Sequence, residues 1–162
     1  MRCLIVDDDL QFTKLVTKWL LDGIPALQDH IDHILYEKAL LKRLAVPEPF
    51  AYDFVILDIM VRWTDMNDTE APVAPEESGY FRAGIRCLAA IRSLPNGAEI
   101  PIFINSARDR SDIEALMQEA RLSFDHVRIF PKDGDFEPLI NAVKELSQKI
   151  AAKPKQPEKV PR

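Results

Sequence analysis

The stretch Tyr52-Asp53-Phe54-Val55-Ile56-Leu57-Asp58-Ile59-Met60 decides the fold. Its apolar centre includes β-branched residues and ends abruptly in one carboxylate, Asp58. A run of four to eight apolar residues bounded by polar ones suits a buried strand, although so short a run does not by itself exclude helix. Three other runs end in the same way. Cys3-Leu4-Ile5-Val6 meets Asp7, Asp8 and Asp9; Ile102-Phe103-Ile104 passes through Asn105 to Ser106; Val127-Arg128-Ile129-Phe130 passes through Pro131 to Lys132. Ligands of open α/β sheets bind outside the carboxyl ends of the strands. Acids, a hydroxyl and an amine at four such ends can therefore converge on one point.

The remaining segments supply the helices of an alternating pattern. Phe12, Leu15, Val16, Trp19 and Leu20 recur at helical spacing, with Asp9 as an N-cap, Gly23 beyond the end and Trp19 read as core packing. His33 to Glu37 reads as a weak second strand, and Lys38 to Leu44 as a short helix stopped by Pro47 and Pro49. Helices are also expected over Gly84–Leu94, with Ile85, Leu88 and Ile91 inward, and over Ser111–Leu122, with Ile113, Leu116, Met117 and Ala120 inward. Asp135 caps a last helix that turns Leu139, Ile140, Val143, Leu146 and Ile150 to the core, and Pro138 is tolerable in its first turn. Five βα units with short connections predict one parallel sheet with helices on both faces. Residues 1–150 form that domain. Residues 61–83 make a long connection rich in acids, and residues 151–162 a basic, Pro-rich tail read as a flexible extension.

Composition narrows the function. The chain has 162 residues, enough for one domain with a sizeable core, and 47% of them are hydrophobic, which excludes wholesale disorder. A net charge of −5 makes the body a poor direct partner for nucleic acid or anionic membrane. No apolar run approaches the roughly 20 residues of a membrane span. The N-terminus runs straight into a strand rather than a signal peptide, and Cys3 and Cys87 sit apart in apolar segments as reduced, buried thiols. A cytoplasmic location is the expectation. His30, His33 and His126 form no constellation with a nucleophile. The five glycines make neither a nucleotide-binding loop nor a Gly-x-Ser-x-Gly elbow.

Each residue at the strand ends has an ordinary reading: a cap, a turn or a surface charge. Together they suit phosphoryl chemistry. Carboxylates brought together repel unless protonated or bridged by a cation, and an all-oxygen set favours a hard ion such as Mg²⁺. A carboxylate can accept a phosphoryl group as a nucleophile. An ammonium and a hydroxyl can bind its oxygens.

In this order Val6-Asp7-Asp8, Leu57-Asp58-Ile59-Met60, Ser106-Ala107-Arg108-Asp109 and Pro131-Lys132 resemble the receiver domains of two-component response regulators. The start of Gly84-Ile85-Arg86-Cys87-Leu88-Ala89-Ala90-Ile91-Arg92 resembles the start of that family's third helix. The resemblance implies a flavodoxin-like, doubly wound five-stranded sheet of order 2-1-3-4-5. It implies that Asp58 accepts a phosphoryl group from a histidine kinase or histidine phosphotransfer protein. Asp8, Asp58 and the Met60 main-chain carbonyl would hold Mg²⁺ (or Mn²⁺), with Asp7 acting through water, and Ser106 and Lys132 would bind the phosphoryl oxygens. Such a module is a switch rather than an enzyme in the usual sense, and its output is the binding of a downstream protein. Arg108 after Ser106-Ala107 resembles receivers attached to DNA-binding domains, but no output domain is expected within this chain.

The sequence also departs from the family. Arg62 stands where a proline is usual, and Gly84 comes 26 positions after Asp58, so residues 61–83 read as an insertion beside the site. Ile129 occupies the usual aromatic switch position, while Phe130 belongs to the opposite strand face. Asp133 replaces the usual proline after the lysine. Two further readings stay open at this level: a pseudo-receiver that binds partners without being phosphorylated, and a haloacid-dehalogenase-type phosphatase using Asp7 and Asp9.

Overall fold

The computed structural model describes residues 1–46, 49–65 and 79–152. Strands β1 (Cys3–Val6), β2 (Ile31–Ile34), β3 (Phe54–Leu57), β4 (Ile102–Ser106) and β5 (Val127–Pro131) form one sheet in the order β2-β1-β3-β4-β5. Every pairing is parallel. Helices α1 (Leu10–Gly23), α2 (Glu37–Leu44), α3 (Ala83–Arg92), α4 (Arg110–Glu119) and α5 (Glu137–Ala152) complete the alternation. This is the flavodoxin-like arrangement expected from the sequence.

Two hydrophobic layers explain why the central strands are apolar throughout. Leu4, Val6, Val55, Leu57, Ile102 and Ile104 pack beneath α2, α3 and α4. The alternate residues Cys3, Ile5, Phe54, Ile56, Phe103 and Phe130 pack beneath α1 and α5. A strand covered on both faces loses the polar–apolar alternation of a half-exposed one. Edge strand β2 retains it in part: Asp32 and His33 are exposed between half-buried Ile31 and Ile34. As expected, Ile129 and Phe130 join opposite layers.

Several expectations need correction. β2 lies earlier than His33–Glu37, and Glu37 instead opens α2. Trp19 is 51% exposed and Leu15 is 45% exposed. The core stripe of α1 runs through Phe12, Thr13, Val16 and Leu20, so Leu15 and Trp19 fall on its flank. Thr13 fits the apolar side because its hydroxyl donates to the Leu10 carbonyl at 3.1 Å. Gly23 is the last residue of α1, and Ala120 is exposed as the C-cap of α4. Pro47, most of the 61–83 connection (residues 66–78) and most of the tail (residues 153–162) lie outside the described residues. Among the described residues no helix is long and apolar enough to cross a membrane.

Candidate functional site

The site forms at the carboxyl ends of β1, β3, β4 and β5. The sheet order reverses direction between β1 and β3, and ligand crevices form at such a switch point. Register places the ends together, with Val6 beside Leu57, Leu57 beside Ile104, and Ser106 beside Pro131. Main-chain bonds continue the alignment past the strands: Asp58 N donates to the Val6 carbonyl and Lys132 N to the Ser106 carbonyl, both at 2.9 Å.

Asp58 is the hub. It is 4% exposed, and four side chains and one main-chain amide define its surroundings. Ser106 Oγ donates to Asp58 Oδ1 at 2.8 Å, and the Met60 N–H reaches the same oxygen at 3.1 Å. Lys132 Nζ donates to Asp58 Oδ2 at 3.1 Å and to both Asp7 oxygens at 3.0 and 2.8 Å. Carboxylate oxygens of Asp7, Asp8 and Asp58 lie within 4.8 Å of one another. All five predicted side chains meet. Met60 arrives through its amide, which donates to Asp58 Oδ1.

The charges at this point are only partly balanced. Burial pushes the Asp7 carboxyl up to about 6, against the opposing pull of Lys132, and the Asp58 charge adds to the rise. Burial alone would lower the Lys132 ammonium, but its bond to Asp7 and the charges of Asp58 and Asp7 raise it on balance. Lys132 Nζ also sits 4.2 Å from the centre of the Phe12 ring, a cation–π contact that fixes the amine over α1. Asp9 is diverted from the cluster, since its Oδ1 caps α1 by accepting from Gln11 N and Phe12 N at 3.0 Å each.

Two features beside the cluster were missed in the sequence reading. Arg62 Nε donates to Asp8 Oδ2 at 2.6 Å, and its Nη2 reaches the Asp8 carbonyl at 3.3 Å. Glu37 is 1% exposed and grips Arg86 through two bonds of 2.6 Å, while Arg86 Nη2 also donates to the Gly79 carbonyl at 3.1 Å. The only forewarning was the basic residue four positions after Asp58, where a proline is usual.

Cys3 and Cys87 are both free and buried, as expected. Burial raises both thiols, Cys87 to about 12. His33 stands away from the cluster, with Nε2 within 3.3 Å of Thr17 Oγ1, and burial lowers its pKa.

No family model and no curated protein matches the sequence. Solved structures do match. The signal receiver domain of a DNA-binding response regulator from Colwellia psychrerythraea 34H aligns with a TM-score of 0.60 at 20% identity, covering 91% of this chain and 98% of its own. The phosphorylated cyanobacterial phytochrome response regulator RcpA aligns at 0.60 and 16% identity, over 97% and 98% of the two chains. A response regulator receiver domain from Rhodospirillum rubrum aligns at 0.61 and 16% identity, over 95% and 96%. The chain has the fold of response-regulator receiver domains.

Proposed function

We propose that residues 1–150 are a phospho-acceptor signalling switch of a two-component or phosphorelay system. The observation that carries this reading is the placement of Asp58 between Ser106 Oγ and Lys132 Nζ, with the Asp7 and Asp8 carboxylates alongside. A similar fold occurs in a cyanobacterial regulator seen phosphorylated.

In this reading one Asp58 oxygen attacks the phosphorus of a phosphohistidine on a kinase or phosphotransfer protein. The phosphorus–nitrogen bond breaks, and the histidine leaves with the electron pair. Lys132 holds positive charge where negative charge accumulates, which needs no reorganisation during reaction. Ser106 exchanges its bond to Asp58 Oδ1 for one to a phosphoryl oxygen. Arg108 N lies 3.5 Å from Ser106 Oγ, so movement of that hydroxyl reaches the β4–α4 loop. The added charge of about −1.5 to −2 then favours whichever loop arrangement binds it better. A downstream protein reads the result.

The donor set fits a hard divalent cation, because three oxygen-only side chains converge and are incompletely neutralised. Asp8, Asp58 and the Met60 carbonyl would hold Mg²⁺ or Mn²⁺, with Asp7 behind water. The ion would supply charge neutralisation between carboxylates and phosphoryl oxygens. A phosphatase reading through Asp9 gains nothing here, since that acid caps α1.

Intact mass after incubation with acetyl phosphate tests the reading. A single phosphoryl adduct that needs Mg²⁺ and disappears in Asp58→Asn is the expected result. Absence of an adduct under every Mg²⁺ condition would overturn it and leave the non-phosphorylated binding module.

A further inference from the structure

Arg62 supplies a positive charge to the carboxylate cluster from the polypeptide itself. Its guanidinium takes Asp8 Oδ2 at 2.6 Å and the Asp8 carbonyl at 3.3 Å. Asp8 is nearly enclosed, with its side chain 12% exposed, whereas that of Arg62 is 36% exposed. Lys132 serves the other two acids, Asp7 and Asp58. The two cations therefore divide three carboxylates between them.

A divalent ion among the same oxygens would meet Arg62 at close range. One oxygen of Asp8 is already committed to a charge-assisted hydrogen bond, and two cations sharing a small carboxylate repel each other. The main chain of Arg62 is pinned: its carbonyl accepts from Glu37 N at 2.9 Å, and it forms a parallel bridge with Tyr36. Displacement from Asp8 would therefore be a movement of the side chain. A resting place lies beside it, because the guanidinium carbon is already 5.7 Å from the centre of the Tyr36 ring.

We propose that Arg62 is an internal competitor for the cation, holding Asp8 until a divalent ion displaces it, and so sets the metal threshold of the switch. This deepens the phospho-acceptor reading and rests on it for the identity of the ion. Arg62 acts through Asp8 and is a positioning residue. Its effect is a selective brake: low Mg²⁺ leaves Asp8 paired with the guanidinium, and rising Mg²⁺ releases it.

The test is calorimetric titration of the full chain with MgCl₂, without phosphodonor, for wild type, Arg62→Ala, Arg62→Gln and Arg62→Lys. Losing a charge-assisted pair of this kind changes an equilibrium by about tenfold or more. Arg62→Ala and Arg62→Gln are expected to bind Mg²⁺ at least about tenfold more tightly than wild type, while Arg62→Lys keeps the charge and stays closer to wild type. Thermal unfolding gives the second readout. In EDTA the neutral variants should melt below wild type, because Asp8 loses its cation, and saturating Mg²⁺ should close or reverse the gap. Unchanged or weaker Mg²⁺ binding, or the same melting deficit in both buffers, would make Arg62 a structural residue and overturn the proposal. Acetyl phosphate labelling separates the two failures. An Asp58 adduct on wild type with no Arg62 effect removes only the brake. Tighter Mg²⁺ binding by the variants with no adduct on any protein removes the phospho-acceptor reading and leaves the brake. No Mg²⁺ binding by any variant removes the brake, and the adduct result then decides the phospho-acceptor reading by itself.

Discussion

Gly84→Ala should distort the acceptor loop from the opposite side of the chain. Gly84 lies in the first turn of α3, and its N–H donates to the Ile59 carbonyl at 2.9 Å. A methyl group there would fall 2.2 Å from the Asp58 carbonyl oxygen and 2.4 Å from Ile59 Cα. Both are main-chain atoms, so no rotamer change can relieve the overlap. Alanine gains about 1 kcal/mol over glycine in helix propensity. Overpacking costs about 1–3 kcal/mol, and a clash with backbone belongs at the upper end. The net loss is about 2 kcal/mol, which at a urea slope of about 2 kcal/mol/M lowers the unfolding midpoint by about 1 M. Gly23→Ala is the matched control. Its methyl would meet Lys144 Cε at 3.0 Å and Ile140 Cγ2 at 3.2 Å. The lysine end can swing away and the Ile140 methyl needs to give only slightly, a cost offset by the helix propensity of alanine, so stability should stay within about 1 kcal/mol of wild type. Urea unfolding followed by circular dichroism measures both. Equal midpoints for the two variants would refute the argument, because the close approach of α3 to the acceptor loop would then have no energetic weight.

Removing Glu37 should be costly, because it leaves Arg86 half-buried against α2 without its bidentate partner. Glu37→Ala is expected to lose about 3 kcal/mol, and Glu145→Ala, which breaks the exposed Arg128 pair, less than about 1 kcal/mol; chemical denaturation compares them. Stability of the metal-free protein should also depend on pH through Asp7. Its folded pKa of about 6 lies above the ordinary 3.8, so between these values the folded form keeps a proton that the unfolded chain releases. Stability from this group is greatest at the acid end and is lost as pH rises through about 6. The ceiling is about 3 kcal/mol, and Asp7→Asn in EDTA should flatten that part of the pH–stability curve.

Much of this architecture could be read directly because burial on both faces leaves a simple trace. Phe54 to Leu57 and Ile102 to Ile104 are apolar without interruption, and the site residues follow closely: Asp58 directly after the first run, and Ser106 one residue beyond Asn105 after the second. Edge strand β2 left a weaker trace, since Asp32 and His33 face solvent, and its boundary was misplaced accordingly. Helix α1 misled in another way. Residues advance about 100° per position, so Leu15 and Trp19 share a broad apolar arc with Val16 and Leu20 yet sit on its outer flank. Thr13 fills the inward position because a local hydrogen bond satisfies its hydroxyl. The pairs Arg62–Asp8 and Glu37–Arg86 were invisible for a different reason. Their partners are 54 and 49 positions apart, and no local periodicity encodes which distant carboxylate a given arginine will find.

The first turn of α2 holds both stems of the connection between β3 and α3. Glu37 N and Lys38 N take the carbonyls of Arg62 and Trp63 at 2.9 Å each, and the Glu37 carboxylate, through Arg86, secures the Gly79 carbonyl on the return. Both stems are thereby fastened to the scaffold that also positions Asp58. Doubling the length of a flexible loop costs only about 0.6 kcal/mol in closure entropy. A change of length between stems fastened in this way therefore costs little as long as the stems keep their bonds, so new surface can be added beside Asp58 without moving it.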